Sequence, residues 1–417
     1  MRIAAKQTVK REAQVCEWDT CEWQIKPGCR KRSVSMAETM LDYLDYHGPV
    51  SFFEEPLNEV DSLILCQFAY LKFDGMVPDV KEDKAFVTLR ELRNHADYEK
   101  LFKNTWFEKN NKKLFEKMLS SRRFRHLKMN CYTNIIETGW ETQFSAITFL
   151  LEDGSVYIAY RGTDESIVGW KEDLNMAFLV PIPAQEYSLK YLNMVVRKLH
   201  QPFYIGGHSK GGNLAVYAAM NCSKEVQERI IKIYNMDGPS FREEMLKKYN
   251  YTAIAAKTVK ILPHSSLVGM IFEQSAEYRV VKSKALGLLQ HDPFSWHVKF
   301  GRFVDVGQVF EGQKFMNDTL NEWILALNEE QLKAFVDTLY QIISATETDN
   351  LFDFSADWRT SIENMATAVK EVDEQTMTVI KETLKILFQV AQLRVKNEIT
   401  RKPKQILDSI TQRIESI

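Results

Sequence analysis

The sequence predicts an α/β fold with a mainly parallel sheet, accompanied by N-terminal helices and a helical C-terminal extension. Between residues 129 and 262, short runs of β-branched and aromatic residues alternate with segments whose apolar residues recur at helical spacing. This alternation is typical of parallel strands joined by crossover helices. Before this region and beyond residue 312, apolar residues recur at three- and four-residue steps, which indicates helices.

The N-terminal part is predicted to be helical up to about residue 127. Residues 39–46 have a helical pattern, and a second helix is expected to begin after Asn58, whose side chain suits the N-cap position. Residues 106–118 carry apolar and aromatic side chains at the spacing of an amphipathic helix. Helices are therefore expected to precede the sheet.

The first predicted strands form a β-hairpin. Residues 144–151 and 155–160 are apolar runs separated by an Asp153-Gly154 turn, which is a strong hairpin signal. The second strand runs directly into Arg161-Gly162-Thr163, and a helix is expected over residues 187–199.

The next strand ends in a motif that carries chemistry. A short apolar run at 203–205 is followed by Gly-His-Ser-Lys-Gly at 207–211 and then by a helical pattern of small residues. The motif fits G-x-S-x-G, in which a serine occupies a tight turn between a strand and a helix. Such a turn needs nearly side-chain-free neighbours, and it places the serine oxygen at a helix N-terminus, where negative charge is stabilised. Ser209 is thus predicted to be a nucleophile, with a structural turn as the alternative.

Two more strands and a helix complete the predicted sheet region. Residues 229–236 form a strand that stops at Asp237-Gly238-Pro239, and residues 243–248 are helical. Residues 258–262 form another strand, which Pro263 ends.

The chain is expected to divide into three regions. Residues 1–35 are polar and mildly basic without an apolar period, which favours a disordered tail. Residues 36–311 are expected to form the α/β domain, including its N-terminal helices. Residues 312–417 are helical and contain no glycine after Gly312. We expect this region to dock on the core or to form contacts in a homo-oligomer.

Composition excludes several classes of function. The 417 residues have a formal net charge of −2, so nothing predicts nucleic acid or an anionic membrane as partner. No apolar run approaches the roughly 20 residues that span a bilayer, and the N-terminus lacks the apolar segment of a signal peptide. The six cysteines give no disulfide framework, which favours a cytoplasmic protein. Cys16, Cys21 and Cys29 lack the spacing of a zinc site, and no metal or cofactor is predicted.

An activated serine requires a base, and the positions of the eight histidines narrow the choice. In α/β-hydrolases the chain order is nucleophile, acid and histidine, with the histidine on a loop after the last strand. His291 lies in such a loop, broken by Pro293, and is the predicted base. His297 is the alternative, although it also fits an exposed polar position. His264 directly follows a strand, where an acid is more usual, and His208 adjoins the serine too closely to reach back to it.

Asp237 is the predicted acid. It ends the strand that comes after the helix following Ser209. Its carboxylate is therefore expected at the C-terminal edge of the sheet, where catalytic groups gather. Asp-Gly-Pro is also ordinary turn chemistry, so a turn residue is the alternative. Asp292 neighbours the predicted base and is expected to cap its own loop.

The oxyanion hole needs two preorganised N–H groups. One is expected from Lys210, the residue after the nucleophile, and the other from a loop that follows an earlier strand. Thr163 is placed to supply the second, with a plain turn at the strand end as the alternative.

Two blocks of sequence resemble a known family. Tyr-Arg-Gly-Thr at 160–163 together with Gly-His-Ser-Lys-Gly at 207–211 resembles the class 3 lipase branch of α/β-hydrolases. The resemblance implies Ser209 as nucleophile with Thr163 and Lys210 as oxyanion donors, and, together with the narrower one that follows, it extends from about residue 36 to beyond residue 296. More narrowly, the chain resembles the bacterial Mbeg-like group, through the segments RGTDESIVGWKEDLNMAF, GGHSKGGNLAVYAA, YNMDGPSF and VVKSKALGLLQHDPFSW.

The sequence also departs from the class 3 pattern. In that family the acid is an aspartate a few residues after the next strand, in a segment that corresponds here to residues 262–269. Ser265 or Ser266 stands where this aspartate would be. Either Asp237 has taken over the role of the acid, or the triad is incomplete.

Two hypotheses follow. The first is a serine hydrolase that cleaves a carboxylic ester of a small molecule or lipid through an acyl-enzyme on Ser209. The second is a binding or scaffold protein that keeps the fold with weak or no turnover. The missing aspartate and the long helical C-terminal region motivate the second, which is the alternative to the predicted serine hydrolase.

Overall fold

The computed structural model describes residues 38–309 and residue 321, apart from 104, 106, 138–141, 164–175, 177–180, 250, 267, 273–276 and 286. In this part of the chain, helices come first, and strands then alternate with helices. The helices are α1 (Met40–Tyr46), α2 (Glu59–Phe68), α3 (Leu89–Arg93), α4 (Glu108–Ser120), α5 (Pro183–Lys198), α6 (Lys210–Asn221), α7 (Lys224–Arg229), α8 (Glu243–Lys248) and α9 (Thr252–Ala255). The strands are β1 (Val87–Thr88), β2 (Lys128–Glu137), β3 (Thr142–Leu150), β4 (Val156–Tyr160), β5 (Phe203–His208), β6 (Ile230–Met236), β7 (Thr258–Pro263), β8 (Arg279–Val281), β9 (Val298–Lys299) and β10 (Arg302–Phe303).

The first eight strands form one sheet in the order in which they occur along the chain. Strands β1 to β4 pair antiparallel, and the pairs from β4 to β8 are all parallel. Strands β9 and β10 form a separate antiparallel hairpin. The predicted α/β fold with its mainly parallel sheet is confirmed.

Helices cover both faces of this sheet. Every residue of β4 is buried, because alternate side chains meet different cores. Tyr157 and Ala159 pack with residues of α1, α2 and α4 on one face. Ile158 and Tyr160 pack with residues of α5 and α6 on the other. The sheet therefore lies between two helical layers.

Local sequence signals account for most element boundaries. Asn58 caps α2 by accepting hydrogen bonds from the N–H groups of Val60 and Asp61, as its position predicts. The hairpin of β3 and β4 pairs Leu150 with Val156 across the predicted turn. Helix α5 begins four residues earlier than the predicted residue 187, because Pro183 suits the first turn of a helix.

Some predicted regions lie outside the described residues. These are the tail of residues 1–35, the helices beyond residue 312 and the polar stretch after Thr163. In the described part of the chain, no helix has the length and apolarity that crossing a bilayer demands.

A buried ion pair fastens the N-terminal helices together. The Arg123 Nε donates to Asp61 Oδ1 at 2.7 Å, and both side chains are fully buried. Tyr43 also donates to Asp61, at 2.8 Å, and the guanidinium stacks over Phe52 at 4.1 Å. The remaining guanidinium donors reach main-chain carbonyls of residues 50–56. The pair is thus fully hydrogen-bonded, as a buried pair must be to persist.

We expect Arg123→Met to lower the free energy of unfolding by about 3–5 kcal/mol, because it leaves the Asp61 carboxylate buried without its partner. Chemical denaturation followed by fluorescence measures this change. The matched control is Arg122→Met, since Arg122 pairs with Glu54 at the surface and should cost less than about 1 kcal/mol. Equal losses in the two variants would contradict the assignment.

Candidate active site

Ser209 occupies the turn between β5 and α6. Its backbone has φ 59° and ψ −135°, a conformation that costs a non-glycine residue on the order of 1–3 kcal/mol. Two main-chain hydrogen bonds hold it there: the Ser209 N–H donates to the carbonyl of Met236, and the Gly212 N–H donates to the carbonyl of Ser209, both at 2.9 Å. The turn is therefore held in a strained form that presents the serine at the end of the sheet.

The glycines of the motif are needed for close approach. A Cβ at Gly207 would lie 2.2 Å from the carbonyl carbon of Gly211, and a Cβ at Gly211 would lie 2.2 Å from the carbonyl oxygen of Tyr160. Both distances are far below a van der Waals contact. The requirement for side-chain-free neighbours, predicted from the motif, holds in the structure.

The Arg161-Gly162-Thr163 turn lies beside the serine. A Cβ at Gly162 would lie 3.1 Å from the Ser209 Cβ and 2.6 Å from the His208 carbonyl oxygen. Thr163, which follows, is buried. Lys210 opens α6, so its N–H lies in the first turn of a helix. Its side chain turns away and donates from Nζ to the main-chain and side-chain oxygens of Gln143, both at 3.0 Å.

The predicted acid and base meet. Asp237 directly follows β6, with φ 53°, and its side chain is 1% exposed. Its Oδ2 lies 2.7 Å from Nδ1 of His291. Because an ionised carboxylate can only accept, Nδ1 carries the proton of the neutral imidazole. The Nε2 lone pair is then the basic site of His291, whose ring is 26% exposed.

Ser266 fixes the other oxygen of the acid. Its Oγ donates to Oδ1 of Asp237 and accepts from the Gly269 N–H at 3.0 Å. Ser266 stands after β7, in the segment where the class 3 resemblance implies an aspartate. This segment therefore supplies a hydroxyl donor, and the carboxylate comes from the end of β6.

His208 contacts the loop that carries His291, a contact that the sequence did not predict. Its Nε2 lies 2.9 Å from the main-chain oxygen of His291, and its Nδ1 lies 3.2 Å from the Tyr70 hydroxyl. Burial lowers the pKa of His208 well below its usual range, so the ring is neutral. The motif at 207–211 places His208 beside Ser209, but nothing in the sequence links His208 to Tyr70.

The other candidates contact different groups. His264 faces Gln290, with 3.0 Å between their Nε2 atoms, and the His297 N–H donates to the carbonyl of Lys282. Asp292 accepts from the Phe294 N–H at 2.9 Å, so it caps its own loop as predicted. Burial raises the pKa of Asp292 to about 6. His291 is the histidine that meets Asp237.

Within the described ranges, no group of three or more histidine, cysteine, aspartate or glutamate side chains could hold a metal ion. Cys16, Cys21 and Cys29 lie outside those ranges.

The sheet, parallel from β4 to β8, and the serine on the strained turn after β5 define an α/β-hydrolase fold. Within this class the chain belongs to the Mbeg1-like family, whose model matches residues 118–341. That range includes all five predicted site residues, and the resemblance drawn from the sequence is confirmed. Among solved structures, the chain is similar to the crystal structure of M37 lipase, with 14% identity over 50% of this chain and 68% of that chain and a TM-score of 0.31. No curated protein is significantly similar to the chain.

Proposed function

We propose that this protein is a serine hydrolase that cleaves a carboxylic ester through an acyl-enzyme on Ser209. One observation carries the proposal: the strained serine is hydrogen-bonded to Met236, the residue before an aspartate that is itself bonded to a histidine. Nucleophile, acid and base are the three groups that this chemistry requires.

The proposed reaction follows from these positions. Ser209 Oγ attacks the ester carbonyl carbon while Nε2 of His291 takes the hydroxyl proton, and Asp237 stabilises the resulting imidazolium. The main-chain N–H groups of Thr163 and Lys210 donate to the carbonyl oxygen as it becomes negative. The intermediate collapses, the ester C–O bond breaks, and His291 returns the proton to the departing alcohol. Water, deprotonated by His291, then releases the acid and restores Ser209.

Apolar groups beside the base support an ester with a hydrocarbon part. Leu289, two residues before His291, is 43% exposed, and Phe107 is 39% exposed. The Phe107 ring packs edge-on against Phe294, 5.9 Å away, in the same loop region. Exposed apolar side chains in and against the loop that carries His291 favour a small lipid-like ester over a highly charged substrate.

Cysteine chemistry supports a cytoplasmic location for this enzyme. Cys66, Cys131 and Cys222, the cysteines in the described part of the chain, are buried free thiols. Free thiols persist in reducing compartments.

We further propose that residues 36–311 form the hydrolase domain and that the region 312–417 mediates self-association.

The absence of an aspartate after β7 motivates the alternative, a binding or scaffold protein. The hydrogen bond between Asp237 and His291 supports the catalytic proposal instead, since a carboxylate does reach the base.

A fluorophosphonate probe tests the proposal directly, because it reacts with activated serines. We expect one covalent adduct, located on Ser209 by peptide mass spectrometry and lost in Ser209→Ala. Ser120→Ala, an exposed serine at the end of α4, is the matched control and should label normally. Folded protein that forms no adduct at Ser209 would refute the function.

A further inference from the structure

We propose that His208 is a positioning residue, which, held by Tyr70, sets the place of His291 relative to Ser209. This inference rests on the hydrolase function proposed above. His208 is joined covalently to the nucleophile and by a 2.9 Å hydrogen bond to the main chain of the base. A side-chain hydrogen bond from the residue next to the nucleophile thus links the two reacting residues.

Two hydrogen bonds connect the Tyr70 hydroxyl, the His208 ring and the His291 carbonyl, and the donor of each bond can be assigned. The His291 carbonyl oxygen can only accept, so Nε2 of His208 must carry the proton. In a neutral ring Nδ1 is then an acceptor, and the Tyr70 hydroxyl donates to it at 3.2 Å. Burial disfavours the charged ring, so the His291 carbonyl fixes the tautomer of His208, and Tyr70 holds the ring by donating to Nδ1.

Tyr70 also lies against the turn proposed to hold the oxyanion. A Cβ at Gly162 would lie 2.2 Å from its hydroxyl oxygen, so Tyr70 occupies the space that this glycine leaves. Tyr70 follows α2, in the helical layer that precedes the sheet. One buried hydroxyl thus connects this layer with the oxyanion turn and with His208.

Two side-chain hydrogen bonds hold the loop that carries His291, at the main-chain carbonyls of residues 290 and 291. His208 donates to the oxygen of His291, and Trp296 Nε1 donates to the oxygen of Gln290 at 2.8 Å. Both donors are buried, so water cannot replace them. The His208 and His291 rings also lie close together, with centroids 4.5 Å apart and their planes tilted by 35°. A neutral ring in this position lets His291 become charged during catalysis without repulsion.

The test compares variants that keep or remove the donor. His208→Phe retains a neutral ring without an N–H, whereas His208→Gln can place an amide N–H near the Nε2 position. We expect His208→Phe to lower kcat for p-nitrophenyl butyrate by about 10- to 100-fold with little change in KM, because misplacement of a reacting group acts on the chemical step. His208→Gln should recover most of this loss. The second-order rate of fluorophosphonate labelling should fall in parallel.

Two further variants keep the result interpretable. Tyr70→Phe removes only the hydroxyl and should lower kcat by about threefold or more, a loss of roughly one weak hydrogen bond. Tyr204→Phe, another buried side chain at the sheet, should leave kcat unchanged. If His208→Phe and Tyr70→Phe both react as fast as the wild type, or if His208→Gln is as slow as His208→Phe, the inference is wrong. A wild-type protein without a Ser209 adduct would instead refute the hydrolase function itself.

Discussion

Ser209→Ala is expected to lower kcat for p-nitrophenyl butyrate by about 10⁶-fold, the loss typical of removing the nucleophile of a serine hydrolase. Alanine has no oxygen to attack the ester, so only binding and the oxyanion donors can still contribute. Steady-state hydrolysis under substrate saturation measures the change.

The same substitution separates reactivity from folding. The strained φ of 59° at position 209 is imposed by the main-chain hydrogen bonds to Met236 and from Gly212, which alanine retains. We therefore expect the thermal midpoint to change little. Ser120→Ala is the control for purification, because a contaminating esterase would give both variants the same rate. A tenth or more of wild-type activity in Ser209→Ala would exclude Ser209 as nucleophile.

The fold could be predicted because its signals are local. Alternation of strands and helices, the Asp153-Gly154 turn and the Asn58 cap are all properties of neighbouring residues. Several of the strands that the sequence did not predict are short: β1 and β9 have two residues each, and β8 has three. So few residues show no period, and their pairing is fixed by strands elsewhere in the chain.

In the candidate site too, local features could be predicted and distant contacts could not. The serine turn is local, and the spacing of its motif predicted it. Chain order suggested Asp237 and His291, and the structure brings them together, although their roles remain predictions. The bond from Tyr70 to His208 joins residues 138 apart, and that from Ser266 to Asp237 joins residues 29 apart. Contacts of this kind depend on the finished fold, so one sequence read alone could not reveal them.

The hydrogen bonds of Asp237 determine how the amide group should orient in the variant Asp237→Asn. Oδ1 of Asp237 is held by the Ser266 hydroxyl, whose own direction is set by the Gly269 N–H. In Asp237→Asn the side-chain oxygen should stay with Ser266, because the Ser266 hydroxyl already accepts from the Gly269 N–H and its proton needs an acceptor. The NH₂ group then points at Nδ1 of His291 and forces the ring proton onto Nε2. In this tautomer His291 cannot accept the proton of Ser209.

Asp237→Asn is therefore expected to lower kcat by about 10⁴-fold while leaving the fold intact, the effect known for a wrong tautomer of the base. Hydrolysis of p-nitrophenyl butyrate measures it, and Asp292→Asn is the matched control. Asp292 adjoins His291 but caps its own loop, so its amide variant should lose less than about tenfold, the equivalent of one hydrogen bond.

The double variant Asp237→Asn, Ser266→Ala tests the tautomer argument itself. Without the Ser266 hydroxyl, the amide can turn its oxygen toward His291, and we expect kcat to recover by about tenfold, the equivalent of one hydrogen bond. Ser266→Ala alone should slow the enzyme, since it leaves Oδ1 of a buried carboxylate without this donor. A double variant slower than Asp237→Asn would show that Ser266 does not orient the amide, because the two losses would then simply add. Recovery would instead place the acid of this enzyme at the end of β6, with the residue after β7 acting only as its hydrogen-bond donor.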